Sequence, residues 1–157
     1  GSCFEYDFEK EKLKNETDLK PKTLYSFYKS CTFLTCLNIF KNSITSFYWI
    51  RPFFVYGKNE KKGRLIPSIR SSIKRKKKFI VNYPYNERDF LHIDDAIQKI
   101  FNYIVEIKKK GTVINICSGK SVTIKELLLR IFNNAHHRKY IIFKNNKINK
   151  NRIIGKV

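Results

Sequence analysis

The sequence is short of glycine, of acidic residues and of long apolar runs, and each shortage narrows what it can be. Only 6 glycines occur among 157 residues, at positions 1, 57, 63, 111, 119 and 155. No three have the Gly-x-x-Gly-x-x-Gly or related spacing that lets a backbone wrap a pyrophosphate at a helix start. No apolar run reaches the roughly 18 residues that cross a bilayer. No basic-then-apolar leader pattern is present, so no membrane is expected as a partner and the cytoplasm is the expected compartment. The 4 cysteines, Cys3, Cys31, Cys36 and Cys117, include no Cys-x-x-Cys pair and match no common zinc spacing. Buried free thiols are expected, with neither metal nor disulfide.

Acid is the scarcest charge. Against 33 Lys and Arg stand 13 Asp and Glu, a net charge of +20. Such a balance raises the possibility of a basic nucleic-acid-binding module. The basic runs Lys58–Lys62, Lys74–Lys78 and Lys108–Lys110 fall in loops and at helix ends, where lysine is ordinarily solvated. The aromatic residues fall in apolar strands and helix faces rather than among the cations. Nucleic acid is therefore not the expected partner, although a basic surface would steer any anionic ligand toward its site.

What the chain does have is core. Hydrophobic residues make up 42% and aromatics 15%, enough for one folded domain. Residues 1–7 read as a strand end and residues 8–20 as irregular. After Pro21, the spacing of Leu24, Phe27, Tyr28, Cys31, Leu34 and Thr35 predicts a helix over 23–41. Residues 44–50 are β-branched and aromatic and predict a strand running into 51–57. A basic amphipathic helix follows within 63–78, then short strands at 79–81 and 90–93. Asp94 is the expected cap of a helix over 95–109 that Gly111 ends. A strand at 113–117, a helix over 124–134 capped by Ser121 or Thr123, a strand at 140–143 and a loose tail from 144 complete the pattern. Alternating strands and helices predict an α/β chain with parallel pairing.

Tyr25 and Lys29 lie four residues apart on the first helix, which puts both on one face. A lysine cation stabilises a neighbouring phenolate, and such a pair can pass a proton to or from a sugar hydroxyl or ketone. The spacing alone is unselective, since Tyr6/Lys10 and Tyr140/Lys144 share it. Order in the chain selects Tyr25. Ser2 precedes the turn Glu5-Tyr6-Asp7, and the Tyr25/Lys29 helix follows. Then come Arg51-Pro52-Phe53-Phe54-Val55-Tyr56-Gly57, Gly63-Arg64-Leu65-Ile66-Pro67, Arg88-Asp89-Phe90-Leu91-His92-Ile93-Asp94-Asp95-Ala96, and Asn115-Ile116-Cys117-Ser118-Gly119 with Thr123-Ile124-Lys125-Glu126-Leu127.

This succession, covering about residues 1–132, resembles the extended short-chain dehydrogenase/reductase family of nucleotide-sugar epimerases and dehydratases, in its carboxyl-terminal portion. The resemblance implies a partial Rossmann-like parallel sheet with a small α/β substrate-binding lobe. Residues 1–60 would be the end of the Rossmann-like domain, and 61–157 mostly the lobe, interleaved with returning Rossmann elements. It implies NAD or NADP as cofactor and a nucleotide-diphosphate sugar as substrate. Tyr25 would be the proton donor or acceptor. Lys29 would stabilise its phenolate and bond the nicotinamide ribose, and Ser2 would bond the reacting sugar oxygen. Pro52 and Phe53 would flank the nicotinamide. Arg88 would pair with the diphosphate, and Arg64 would reach the nucleotide end.

Departures narrow the activity. Dehydrating relatives place Asp and Glu directly after the serine or threonine, where Cys3 and Phe4 stand here, so epimerisation or ketosugar reduction is expected instead of 4,6-dehydration. Phe54 replaces an asparagine common in relatives. The absent glycine loop implies a truncated chain that is inactive alone. It would be completed by an amino-terminal half or would persist as a non-catalytic oligomerisation remnant, and a homodimer is one expected assembly.

Overall fold

The computed structural model describes residues 1–10, 12–106, 112–145 and 152–156. The Lys108–Lys110 run, the Gly111 stop and residues 146–151 of the tail lie outside the described residues.

The chain opens with a 3-10 turn, Cys3–Glu5, instead of the strand end expected there. The cause is local. The Ser2 side chain and the Glu5 carboxylate cap each other's backbone, and Ser2 N–H donates to Glu5 Oε1 at 2.6 Å. Helix α1 (Leu24–Phe40) begins where Thr23 and Ser26 form a second such box, at 3.0 and 3.1 Å. Strand β1 (Tyr48–Pro52) starts later than the β-branched run suggests, and Ile44 is 91% exposed. Its partner β6 (Thr112–Ile116) runs parallel from Tyr48↔Thr112 to Pro52↔Ile116.

Parallel pairing recurs along the chain. Strand β2 (Phe54–Tyr56) pairs with β5 (Phe90–His92), and β3 (Phe79–Val81) with β8 (Ile141–Phe143). A small mixed sheet runs β7 (Val122–Thr123), β4 (Glu87–Arg88), β9 (Arg152–Ile153). The expected α/β chain with parallel pairing is what forms.

The remaining helices are α2 (Leu65–Lys74), α3 (Ile93–Glu106), α4 (Ile124–Ile131) and the short α5 (Ala135–Arg138). Asp94 does not cap α3. The helix issues directly from β5 at Ile93, and Asp94 and Asp95 sit in its first turn, where carboxylates meet the positive end of the dipole. Thr123, not Ser121, caps α4, in a box with Glu126. The tail is better anchored than its composition suggests: Ile153 and Ile154 are buried, and Arg152–Ile153 adds the third strand beside β4.

Strand alternation decides what covers β1. Trp49 and Arg51 face α1, where Phe33 lies 5.3 Å from the Trp49 ring. Tyr48 and Ile50 face the opposite way and pack with Ile100 and Tyr103 of α3 around Leu91, Ala96, Ile114 and Ile116. A second cluster joins α2, α4, β3 and β8 through Ile66, Ile69, Leu128 and Ile141. A third, around Tyr6, Leu13, Phe53 and Ile153, buries a leucine of the charged segment 8–20, bridged to Gly155. Among the described residues the other edge of β1 carries no strand.

Candidate functional site

A cleft of about 370 Å³ opens where the amino-terminal turn, α1, the end of β1, α2 and α3 meet. Each element delivers its side chain for a local reason. The Ser2–Glu5 box places Ser2 at the cleft with only 7% exposure. The Thr23 box fixes the start of α1, so Tyr25 falls in its first turn, 56% exposed on the rim. Lys29, one turn on, holds its Nζ 5.7 Å from the Tyr25 ring centre. Pro52 ends β1, and Phe53 is fastened by its N–H to Ile116 O at 3.0 Å. Gly63 adopts φ +92°, a left-handed turn that side chains resist, and Arg64 after it is the N-cap of α2, lining the cleft while its Nε pairs with Glu60 Oε1 at 3.4 Å.

Ser2, Tyr25, Pro52, Phe53 and Arg64 thus line one cleft, although they lie up to 62 residues apart in sequence. Its remaining wall is apolar and comes from Phe4, Val55, Ile116 and the α3 residues Ile93, Ala96, Ile97 and Ile100, of which the sequence marked only Phe4 with a consequence for the chemistry. Arg88 is not among the lining residues. It sits behind Phe54, with its guanidinium 5.4 Å from that ring and Nη1 donating to Glu87 O at 2.8 Å. Burial lowers its pKa from the usual arginine value, with the nearby Cys3 partly opposing.

The two residues standing where dehydrating relatives carry acids behave differently from each other. Phe4 lines the cleft, stacked edge-on between Phe8 and Phe54 at 5.5 and 5.7 Å. Cys3 turns away and is 1% exposed, and burial pushes its thiol up to about 12. Neither side chain offers an exchangeable proton to the cleft near neutral pH. The same burial raises Cys117 to about 12. Because the thiolate is the reactive form, a thiol reagent at pH 8 should modify the exposed Cys31 in the folded protein. Cys3 and Cys117 should react only on unfolding, as mass spectrometry of timed alkylation would read.

Beneath the cleft lies a charge pair the motifs did not flag. Arg51 Nε donates to Glu5 Oε2 at 2.9 Å, with the two side chains 1% and 0% exposed. The guanidinium is held between Tyr6 and Phe33, 4.4 and 4.7 Å from their ring centres. Trp49 Nε1 adds a bond of 3.0 Å to the same carboxylate oxygen. A signal existed: an arginine inside an otherwise apolar strand is rarely buried unless paired. Asp89 plays a comparable fastening role. Its buried carboxylate accepts from Ser118 N–H and Oγ–H, both 2.6 Å, from Gly119 N–H at 2.9 Å and from Gly155 N–H at 3.2 Å. His92 takes Asp94 N–H on its Nδ1 at 3.4 Å. Among the described residues no cluster of three His, Cys, Asp or Glu side chains is arranged to hold a metal ion.

The chain has known relatives. The model of the NAD dependent epimerase/dehydratase family matches residues 1–117. The CDP-abequose synthase of Salmonella muenchen is 28% identical over 83 residues, which cover 52% of this chain and 28% of that protein. The UDP-N-acetylglucosamine 4-epimerase of Methanobrevibacter ruminantium M1, solved with UDP-N-acetylmuramic acid, superposes with a TM-score of 0.79 at 20% identity. That match covers 100% of this chain and 52% of the other. RMD of Pseudomonas aeruginosa, complexed with NADPH, gives 0.82 at 22% identity, covering 99% and 55%. The chain spans about half the length of these solved relatives, whose fold it shares: a Rossmann-like α/β architecture.

Proposed function

Because the chain belongs to the NAD dependent epimerase/dehydratase family, we propose that it carries the substrate half of an NAD(P)-linked nucleotide-sugar epimerase or ketosugar reductase acting in the cytoplasm. The observation that carries this reading is the single cleft gathering Ser2, Tyr25, Pro52, Phe53 and Arg64.

The cofactor's nicotinamide would accept or return a hydride at the reacting sugar carbon. The protein's part is proton handling and placement. Tyr25, at the rim beside Lys29, takes the proton from the sugar hydroxyl as the carbonyl forms, or returns it during reduction. The Lys29 cation stabilises the phenolate between those steps. Ser2 bonds the reacting oxygen and fixes its distance from Tyr25. The apolar wall of Pro52, Phe53 and Val55 fits the flat face of a nicotinamide and excludes water. Arg88, against the Phe54 ring, would pair with the diphosphate, and Arg64, which lines the cleft and pairs with Glu60 at 3.4 Å, would reach the nucleotide end. Phe4 and the buried Cys3 disfavour dehydration, which needs acids where these residues stand.

The pyrophosphate of the dinucleotide has no cradle in these residues, since no glycine triple is spaced for one. We assign that grip to an α/β segment outside them. Three features support this. The outer edge of β1 is unpaired among the described residues. Leu24, Phe27, Tyr28 and Leu34 of α1 are each more than half exposed. Phe101, Ile104 and Val105 leave a second apolar face on α3. An open parallel edge between two apolar helix faces is the surface on which a Rossmann-like sheet continues.

Titration of the 157-residue protein, followed by backbone amide shifts, tests the reading. UDP- or dTDP-hexose should move the amides of Ser2, Tyr25 and Arg64, and NAD(P)H alone should move none. Sugar-nucleotide shifts confined to other regions, or tight NAD(P)H binding, would contradict it.

A further inference from the structure

The cations of the second helix converge on one place that the catalytic reading leaves unused. A cleft of about 930 Å³ is lined by Lys62, Arg70, Lys74 and Arg75, with the hydroxyls of Ser68 and Ser71 on the same wall. No carboxylate lines it. Two further clefts, of about 620 and 360 Å³, adjoin it, and Arg70 lines all three. The guanidinium of Arg70 is seated 5.9 Å from the Phe132 ring centre. Among the described residues none of these four cations has an ion-pair partner.

Helix stability does not account for this arrangement. Arg70 and Lys74 are like charges at i and i+4, which destabilise a helix, and the dipole favours Lys74 and the C-cap Arg75 but not Arg70. The apolar face of α2, through Ile66 and Ile69, is already spent on the core, so the basic face is free to meet a ligand.

We infer that this cleft binds a linear chain of closely spaced phosphates, an inorganic polyphosphate, at a site separate from the sugar-nucleotide cleft. The form of the surface selects among anions. A concave groove does not match a flat bilayer, and α2 has no apolar face left to insert. Single-stranded nucleic acid is held largely by base stacking on aromatics, and Phe79 is the only ring on this lining. Four cations and serine hydroxyls without acid or stacking platform suit bare phosphates, bound by charge-assisted hydrogen bonds.

The test must separate a local site from the pull of a +20 chain. Binding of fluorescent polyphosphate of defined length is measured by polarisation at 0.15 M salt, for the protein, for R70S/K74S/R75S, and for the control K10S/K41S/K120S, which removes the same charge from exposed lysines elsewhere. The inference expects roughly tenfold or greater weakening in the first variant and under threefold in the control. The charge-keeping R70K/K74R/R75K should retain binding, and circular dichroism should match across all forms. Equal losses in the two charge-removing variants would overturn it, as would single-stranded RNA or anionic vesicles binding more tightly than polyphosphate, or no binding of polyphosphate at all.

Discussion

Replacing Arg51 with methionine should cost about 3–5 kcal/mol of folding stability, the cost of leaving one member of a buried ion pair without its partner. The Glu5 carboxylate is fully buried and, among the described residues, would keep Trp49 Nε1–H and Ser2 N–H as donors. Methionine fills much of the space between Tyr6 and Phe33, so the loss would report charge more than cavity. A protein of this size holds itself together by about 5–15 kcal/mol, so the variant should melt roughly 10 °C lower or more. Buried Arg51 Nη2 already lacks a partner among the described residues, so the pair is not ideally satisfied. The double variant R51M/E5Q should therefore recover much of the loss. Urea melts of the two variants decide it. A single-variant cost below about 1 kcal/mol would show that the pair does not organise this region.

The same pair connects stability to chemistry. Glu5 holds both Arg51 and the backbone N–H of Ser2, the residue proposed to bond the reacting oxygen. A protein that tolerates R51M should still show displaced Ser2 amide resonances.

The second large effect concerns Tyr25. In an enzyme assembled from this chain and the glycine-loop half of a family member, Tyr25→Phe should lower kcat about 10²–10⁴-fold, the range over which a positioned proton carrier contributes. The substitution removes one oxygen from a half-exposed ring and leaves the Thr23 cap of α1 intact. KM for the nucleotide-sugar should therefore change little, because Arg64 and the apolar wall are untouched. Lys29→Met should lower kcat as well, by removing the cation that sits 5.7 Å from the Tyr25 ring centre. A Tyr25→Phe enzyme with full kcat would remove Tyr25 from the mechanism.

Much of this architecture could be read from the residues, for reasons that differ by element. Helix α1 was legible because its cap and apolar residues are local in sequence. The parallel pairs were legible as a class, since strands alternating with helices leave few other topologies. The amino-terminal turn was not: Gly1 to Tyr6 has strand character, and only the Ser2–Glu5 box, two side chains that also fit a strand, decides for a turn. The fastening of the tail was hidden for a related cause. Ile153 and Ile154 look like any isoleucines in a lysine- and asparagine-rich run, and their burial depends on Leu13 and β4, far away in sequence. At the site, ordered motifs pointed to Ser2, Tyr25, Pro52, Phe53 and Arg64, and these share a cleft. Of its α3 wall, Ile93 and Ala96 fall at the end of a motif without a role of their own, and Ile97 and Ile100 carry no chemistry that marks them. Arg88 was placed by motif alone, and its seat 5.4 Å from the Phe54 ring centre could be found only in three dimensions.

The measurement that bears most directly on the central claim is transfer of deuterium from C4-labelled NAD(P)H to a nucleotide-bound 4-ketohexose. The account predicts label on the sugar ring carbon when this chain is assembled with a glycine-loop half, loss of that transfer in Tyr25→Phe, and none from the 157-residue chain alone. Label transferred by the chain alone, or a folded assembly that binds both ligands and transfers none, would contradict it.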